Sequence, residues 1–476
     1  MTPPNGAADP HPDVTARPAI ATGRLDTRRA RLALLGSTAA LLVALIVAPR
    51  HGIASTLLVV ASAATGSGFA LLEGRRQLLG LRPVVLAVGV VLFMAVAFWP
   101  QSSNDVWSYT MYGRMVSAHG VSPYQHVPAD FPSDPFDHLV SPIWQHRGSV
   151  YGPAFVGYAA TLTAVAGESR LADRLLFQLG AALAVAAALA LVWRRTRSPA
   201  AVAWLGLNPV FGAIIVNSGQ IDALIGLAIL VAALLAAERR GWASGVALGV
   251  ATLLKVTSLL ALPALMFWAW RRGEQRLARQ ITAATLATTA IVYLPFVTGQ
   301  SHVLAGADHS VTPGSPWNLP AQLLVGKDAG RDLPGLLPSN HTLSVLFYLS
   351  LALVGVLAVV LAWRWSSADR PELGVGAATA SYAMAAEYTL PWYAGWALPV
   401  LADDRPTRLA WVIWWQSVVL LAAWKLPTHH TGSVADTILR GTFAYALPLV
   451  LLVAYVAVGD RRRVPAPAPA PAAASL

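Results

Sequence analysis

Val84–Trp99 reads VVLAVGVVLFMAVAFW, a run without a charge that stops at Pro100, and from Ser102 to Asp130 the chain continues SSNDVWSYTMYGRMVSAHGVSPYQHVPAD. This junction decides the fold class. A run approaching about 20 apolar residues can cross roughly 30 Å of hydrocarbon as a helix. The polar stretch behind it is then the first large segment outside the bilayer. Working outward, Leu32–Val47, Ala181–Trp193 and Val345–Trp363 repeat the apolar pattern. Hydrophobic residues make up 56% of the chain, charged residues only 12%, and the mean hydropathy is +0.55. Such a composition excludes an ordinary soluble protein. Lipid offers the backbone no hydrogen-bond partners, so the spans must be helices. The expected fold is an all-α polytopic membrane bundle of about 12 to 14 transmembrane helices with a large first extracytoplasmic loop.

The net charge of +11 raises the question of nucleic acid, but the arginines fall in short clusters between apolar runs. These clusters are topology signals. Arg24 to Arg31, Arg75–Arg76, Arg194–Arg197, Arg239–Arg240, Arg271–Arg279, Arg364–Arg370, Arg405–Arg408 and Arg461–Arg463 all lie on the cytoplasmic side if Tyr151–Ala166 does not cross. Both termini are then cytoplasmic, in a multi-pass protein of the plasma membrane. The spans fall at about 33–48, 53–72, 80–98, 172–193, 199–216, 221–237, 242–254, 257–270, 280–297, 342–363, 372–387, 390–402, 408–425 and 437–459. Those at 242–254, 257–270 and 390–402 are too short to cross alone. Broken helices are tolerated where protein or a watery cavity covers their backbone, so a cavity is expected. The outer loops 100–150, 299–340 and 426–436, with turns near 217–220, 255–257 and 387–391, converge on it.

Residues 1–31 and the Pro/Ala tail 460–476 have compositions that bury no core, and both are expected to be disordered cytoplasmic ends flanking a membrane domain at 32–459. No apolar segment precedes residue 32, which argues against a cleaved signal. With no cysteine, disulfides, zinc–thiolate sites and cysteine nucleophiles are excluded. There is no G-x-x-x-x-G-K-[ST] loop, so any reaction must draw on an activated substrate or a gradient.

Three constellations carry chemistry. Asn104-Asp105 stands just beyond Pro100; the carboxylate is either a solvated loop acid or a general base able to accept a hydroxyl proton. Asp130, Asp134 and Asp137, beside His126 and His138, match no closed metal site by spacing. Gln220-Ile221-Asp222 opens an apolar run, where an acid faces a cavity or serves the first turn of a helix capped by Asn217 or Ser218. Lys255, in LLKVTSLLALP, is the one charge between Arg240 and Arg271; it either snorkels to the interface or contacts a phosphate, a task open to Arg114 as well. Trp107, Tyr109, Trp392 and Tyr393 offer flat apolar faces to a sugar, or anchor the chain at the interface.

The series NDVWSYTMYGRMVSAHGVSPYQHVPAD, VYGP at Val150–Pro153, GQIDAL at Gly219–Leu224, LLKVTSLLALP at Leu253–Pro263 and LPWYAGWALPVLA at Leu390–Ala402 resembles the GT-C fold membrane glycosyltransferases. It is most similar to the actinobacterial polyprenol-phosphomannose-dependent mannosyltransferases that build lipoglycans, over about residues 80–425. The resemblance implies a polyprenyl-phosphate-sugar donor, a glycan or glycolipid acceptor outside the plasma membrane, inversion at the anomeric carbon and no nucleotide; no cofactor is expected, and no metal is needed where cations neutralise the phosphate. It implies an essential acid at Asp105, and places Gly113-Arg114, Ser122-Pro123-Tyr124 and Tyr151-Gly152-Pro153 in family elements. Where relatives read H-N-D, this chain has Gln220-Ile221-Asp222. Lys255 and Arg114 are then expected at the donor phosphate, with Asn104, Trp107, Tyr109, Tyr124, Tyr151, Gln220, Asp222, Trp392 and Tyr393 around donor and acceptor. An arabinofuranosyl donor and a flippase for lipid-linked sugars are the rival readings.

Overall fold

The computed structural model describes residues 27–296, 311–325, 327–328, 331–332, 339–366, 370–429 and 431–458. The two expected disordered ends lie outside these residues, except that the first helix begins at Arg28, and Arg31 is already buried against Glu73 at 3.3 Å. Much of 299–340 also lies outside them.

The chain is an all-α polytopic membrane protein. In order, its helices are α1 Arg28–Val47, α2 Ile53–Arg75, α3 Leu81–Ala97, α4 Asp105–Ser117, α5 Pro142–Gln145, α6 Pro153–Ala166, α7 Arg170–Thr196, α8 Pro199–Gly206, α9 Asp222–Ala237, α10 Gly241–Leu254, α11 Leu262–Arg271, α12 Gln275–Tyr293, α13 Asn318–Val325, α14 Ser339–Trp365, α15 Pro371–Ala385, α16 Leu398–Leu401, α17 Arg408–Lys425, α18 Val434–Arg440 and α19 Leu447–Ala457. Among the described residues the one extended pairing is Lys327–Asp328 against Arg331–Asp332. Helix starts are set by side-chain caps: Thr27, Ser169 and Thr407 each accept from an amide three residues on, satisfying donors that have no partner within the helix.

Among the described residues five helices are long and apolar enough to cross unaided: Arg28–Val47, Ile53–Arg75, Arg170–Thr196, His341–Trp365 and Val434–Ala457. Most other expected spans are shorter, and several are broken where proline removes a ladder donor. The segment expected at 199–216 is α8 followed, after Asn208-Pro209, by a π-turn at Phe211–Val216. That at 257–270 is a 3₁₀ stretch, Val256–Ala261, leading into α11 at Pro263, and that at 390–402 is a 3₁₀ stretch, Pro391–Trp396, followed by α16. Helix α6 has 14 residues, fewer than the roughly 20 that span a bilayer.

Pairing of charges gathers most arginine clusters at one end. Arg195 meets Glu372, Arg370 meets Asp403, Arg239 and Arg272 share Glu274, and Arg271 donates to the Ser366 carbonyl. At the opposite end the polar stretch after Pro100 departs from expectation: much of it is helix α4, buried along α6. Gly113 permits this, since a Cβ there would lie 2.6 Å from the Ala159 carbonyl.

Candidate active site

Segment 99–105 is held by Asn217. Its carbonyl oxygen accepts from the Gln101 amide at 2.9 Å, and its NH₂ donates to the carbonyls of Ala95 and Trp99 at 3.1 and 3.3 Å. Ser102 donates to the Ala213 carbonyl at 2.8 Å. Neither Asn217 nor Ser218 caps α9, as the sequence had suggested; the N-cap is Ile221, without a side-chain bond. Asn217 is instead spent on fixing the approach to Asp105, because the end of α3 would otherwise leave buried carbonyls unpaired.

Asp105 is the first residue of α4 and is half-buried. Its carboxylate accepts from Gln220 Nε2 at 3.1 Å, while Gln220 Oε1 accepts from the Tyr109 hydroxyl at 2.6 Å, and Tyr151 donates to Tyr109 at 3.3 Å. Burial raises the Asp105 pKa above the ordinary carboxylate value; the Gln220 and Ser103 hydrogen bonds and the charges of Arg50 and Lys255 restrain the rise.

Lys255 stands between α10 and the 3₁₀ stretch in an extended conformation. Its ammonium lies 4.1 Å from the Tyr393 ring centre, 5.2 Å from that of Trp396 and 5.4 Å from that of Tyr151, a cage that favours a cation. Burial lowers its pKa, opposed by the charges of Asp222 and Asp105. Asp222 in turn accepts from the Trp396 indole at 2.6 Å. Two glycines make this possible. A Cβ on Gly152 would lie 2.1 Å from the Leu253 carbonyl oxygen, which sets Tyr151 beside Lys255, and one on Gly226 would lie 2.1 Å from that of Gly395, which seats Trp396 against α9.

The structure thus brings together Asp105, Gln220, Tyr109, Tyr151, Lys255, Asp222 and Tyr393. Trp392 packs edge-on to Trp424 with ring centres 5.5 Å apart. Tyr124 supports the cluster from behind, donating to the Tyr151 carbonyl at 2.9 Å. Three candidates fall elsewhere. Asn104 is exposed, and Trp107 is buried between Trp99 and Phe136. Arg114 is enclosed by Asp134, with Nε at 2.9 Å, by the Gly167 carbonyl at 2.8 Å and by the Phe136 ring, so its charge is paired within the loop and away from Lys255. Asp134 also takes His119 at 2.8 Å. Among the described residues no three histidine or carboxylate side chains group as a metal site.

Sequence reasoning passed over Trp396, Arg50, Trp424 and Lys425. Arg50 and Lys425 were visible as basic residues at the end of the bundle opposite the arginine clusters, where lysine and arginine are sparse and need a reason.

A family described as Alpha-(1->6)-mannopyranosyltransferase, N-terminal domain, matches residues 31–272. The chain is 29% identical to Alpha-(1->6)-mannopyranosyltransferase A of Mycobacterium tuberculosis, over 73% of this chain and 71% of that one. It is 26% identical to the protein of the same name from Corynebacterium glutamicum, over 66% and 69%. No solved structure matches it. With the match covering half the chain and ending on the Lys255 side of the cluster, the protein belongs to this mannosyltransferase family and is a membrane-embedded glycosyltransferase.

Proposed function

We propose that the protein, a GT-C-type enzyme, transfers mannose from a polyprenyl phosphate carrier to a glycan or glycolipid acceptor on the extracytoplasmic face, with inversion. The observation that carries this reading is Asp105: a carboxylate aimed by Gln220, of raised proton affinity, facing a caged cation. A sugar hydroxyl is a poor nucleophile until its proton has an acceptor in hydrogen-bond reach. Asp105 takes that proton as the acceptor oxygen attacks the anomeric carbon. The bond from that carbon to the phosphate oxygen breaks, and the electron pair leaves on the lipid phosphate.

Lys255 supplies positive charge where the leaving group develops negative charge. Its cage holds the ammonium in place beforehand, and the charges of Asp222 and Asp105 oppose the lowering of its pKa by burial. The relatives are named for an α-(1→6) linkage. For this chain the same linkage makes the nucleophile a primary hydroxyl, and inversion to an α product demands a β-linked donor. The arginine-rich end is then cytoplasmic, the catalytic end outside.

The test offers radiolabelled polyprenyl-phosphomannose or polyprenyl-phosphoarabinose, with a short α-mannan acceptor, to membranes containing wild-type or Asp105→Asn protein. Label must move from the mannosyl donor alone and stay put in the variant. Transfer from the arabinosyl donor, or transfer that survives the substitution, refutes the reading.

A further inference from the structure

The charges of two cations, Lys255 and Arg50, reach Asp105, a third, Lys425, stands beside Arg50, and neither Arg50 nor Lys425 has an ion-pair partner among the described residues. Lys255 faces Asp222. Arg50 lies in the turn between α1 and α2; its guanidinium sits 5.8 Å from the Trp424 ring centre, and its enclosed Nε meets no acceptor among the described residues. Lys425 closes α17 with a side chain fully shielded from solvent, and its Nζ likewise has no acceptor among them.

A knot of hydrogen bonds puts these groups beside the base. The Gly52 amide donates to the Lys425 carbonyl at 2.8 Å, His51 Nδ1 meets the Trp424 carbonyl at 3.0 Å, and the Trp424 indole donates to the Ser102 carbonyl at 2.8 Å. Arg50 and Lys425 are close enough to repel one another, and Asp105 is the carboxylate whose charge reaches Arg50. An enclosed ammonium without an acceptor persists at a cost unless a ligand brings the missing anion. A cavity of about 300 Å³ opens beside the same knot, lined by residues that flank the two cations, among them His51, Trp424 and Leu426, and not by Arg50 or Lys425 themselves.

Resting on the donor reading above, we infer that Arg50 and Lys425 form an anion seat that holds the phosphate of the lipid-linked donor and retains it as the leaving group. The charges balance at each stage. Arg50, Lys425 and Lys255 against Asp105 and Asp222 leave one positive charge, which a phosphodiester fills. On transfer the phosphate becomes a monoester and gains a second negative charge, while Asp105 loses its own by taking the acceptor proton. Counted by formal charge, the site is balanced with substrate and with product alike, which limits the uncompensated charge confined at low dielectric.

The test is direct binding of farnesyl phosphate, a short mimic of the lipid product, to the purified full-length protein, with inorganic phosphate and phosphatidylglycerol nanodiscs as competitors. Arg50→Gln and Lys425→Met should each weaken binding about tenfold or more, the loss of one charge-assisted contact. Lys425→Arg should restore part of it. Lys425→Met removes an unpaired buried charge and should melt no lower than the wild type, which separates lost binding from lost folding. Unchanged affinity in both variants, with a wild type that binds, overturns the seat and leaves the donor reading standing. Competition by phosphatidylglycerol as strong as by farnesyl phosphate makes the seat a general headgroup site and overturns it too. A wild type that does not bind farnesyl phosphate overturns the donor reading and the seat together. Weak competition by inorganic phosphate, with none by phosphatidylglycerol, supports the seat.

Discussion

Gln220 holds Asp105 by its amide nitrogen at 3.1 Å and is itself oriented by the Tyr109 hydroxyl on its carbonyl oxygen at 2.6 Å. Only the amide nitrogen can donate to a carboxylate, and a free glutamine amide is not held in that orientation. Here the phenol holds the amide with its nitrogen towards Asp105, so the proposed base is aimed from two residues away.

Removing the base has the largest expected effect. Asp105→Asn should lower kcat by about 10² to 10⁴, the usual contribution of general base catalysis. Asp105 must be ionised to act and burial raises its pKa. The acid limb of kcat/KM should therefore lie above the ordinary aspartate value of about 3.9, with activity lost as pH falls through it. A pH–rate profile on membranes checks this.

Tyr109→Phe frees the Gln220 amide without touching Asp105. Its kcat should fall about tenfold while KM holds, since the lost hydrogen bond orients the base and binds no substrate. Gln220→Glu sets a second carboxylate against Asp105 and should push the acid limb to higher pH, because like charges disfavour ionisation.

Gly226→Ala drives a methyl into the Gly395 carbonyl. The overpacking should cost about 1–3 kcal/mol and shift Trp396 off Asp222. Both a lower melting temperature and a lower kcat are expected.

Arg114→Met tests the loop. Burial pushes the Asp134 carboxyl up, but the Phe136 amide, His119 and Arg114 outweigh it and hold the pKa below normal. A depressed folded-state pKa contributes stability that is present above the unfolded value and lost as pH falls through the folded one. The variant should therefore lose about 3 kcal/mol or more at neutral pH, with the gap to wild type narrowing in strong acid. Thermal melts at two pH values measure it.

Glu387, in the turn after α15, has both carboxylate oxygens enclosed without a partner among the described residues, and burial pushes its pKa up to about 7. A raised folded-state pKa means the protonated form is favoured on folding, so the penalty grows as pH rises from about 4 towards 7. Glu387→Gln should raise the melting temperature by about 2 °C or more at pH 8 and by less at pH 5.

Much of the bundle was legible because hydropathy and arginine clustering are local signals. The edges of α1, α3, α9 and α17 fall within a few residues of the expected spans. Asp105, Gln220, Asp222 and Lys255 were legible for a similar reason: each is a polar residue where the surroundings are apolar. The breaks at Pro209 and Pro263 were harder, since a hydropathy pattern runs straight through them. Helix α4 was hidden because its polar face is satisfied by tertiary partners, as Thr110 is by Asp173. Arg114 looked like a phosphate ligand because nothing in the sequence reveals that Asp134 folds back over it. Trp424 was invisible as a site residue, since only the folded chain brings its indole to Ser102.

The knot at Trp424 has a bearing on how the gene can be cut. The matched family region ends at residue 272, which contains the base, its glutamine and Lys255. The cage rings Tyr393 and Trp396, and the indole that anchors Ser102, come from beyond residue 390. Neither piece alone carries the whole cluster, which lies at the seam between them. Two fragments divided after residue 272, expressed in the same cell, should be silent singly and regain transfer only by reassembling across that seam.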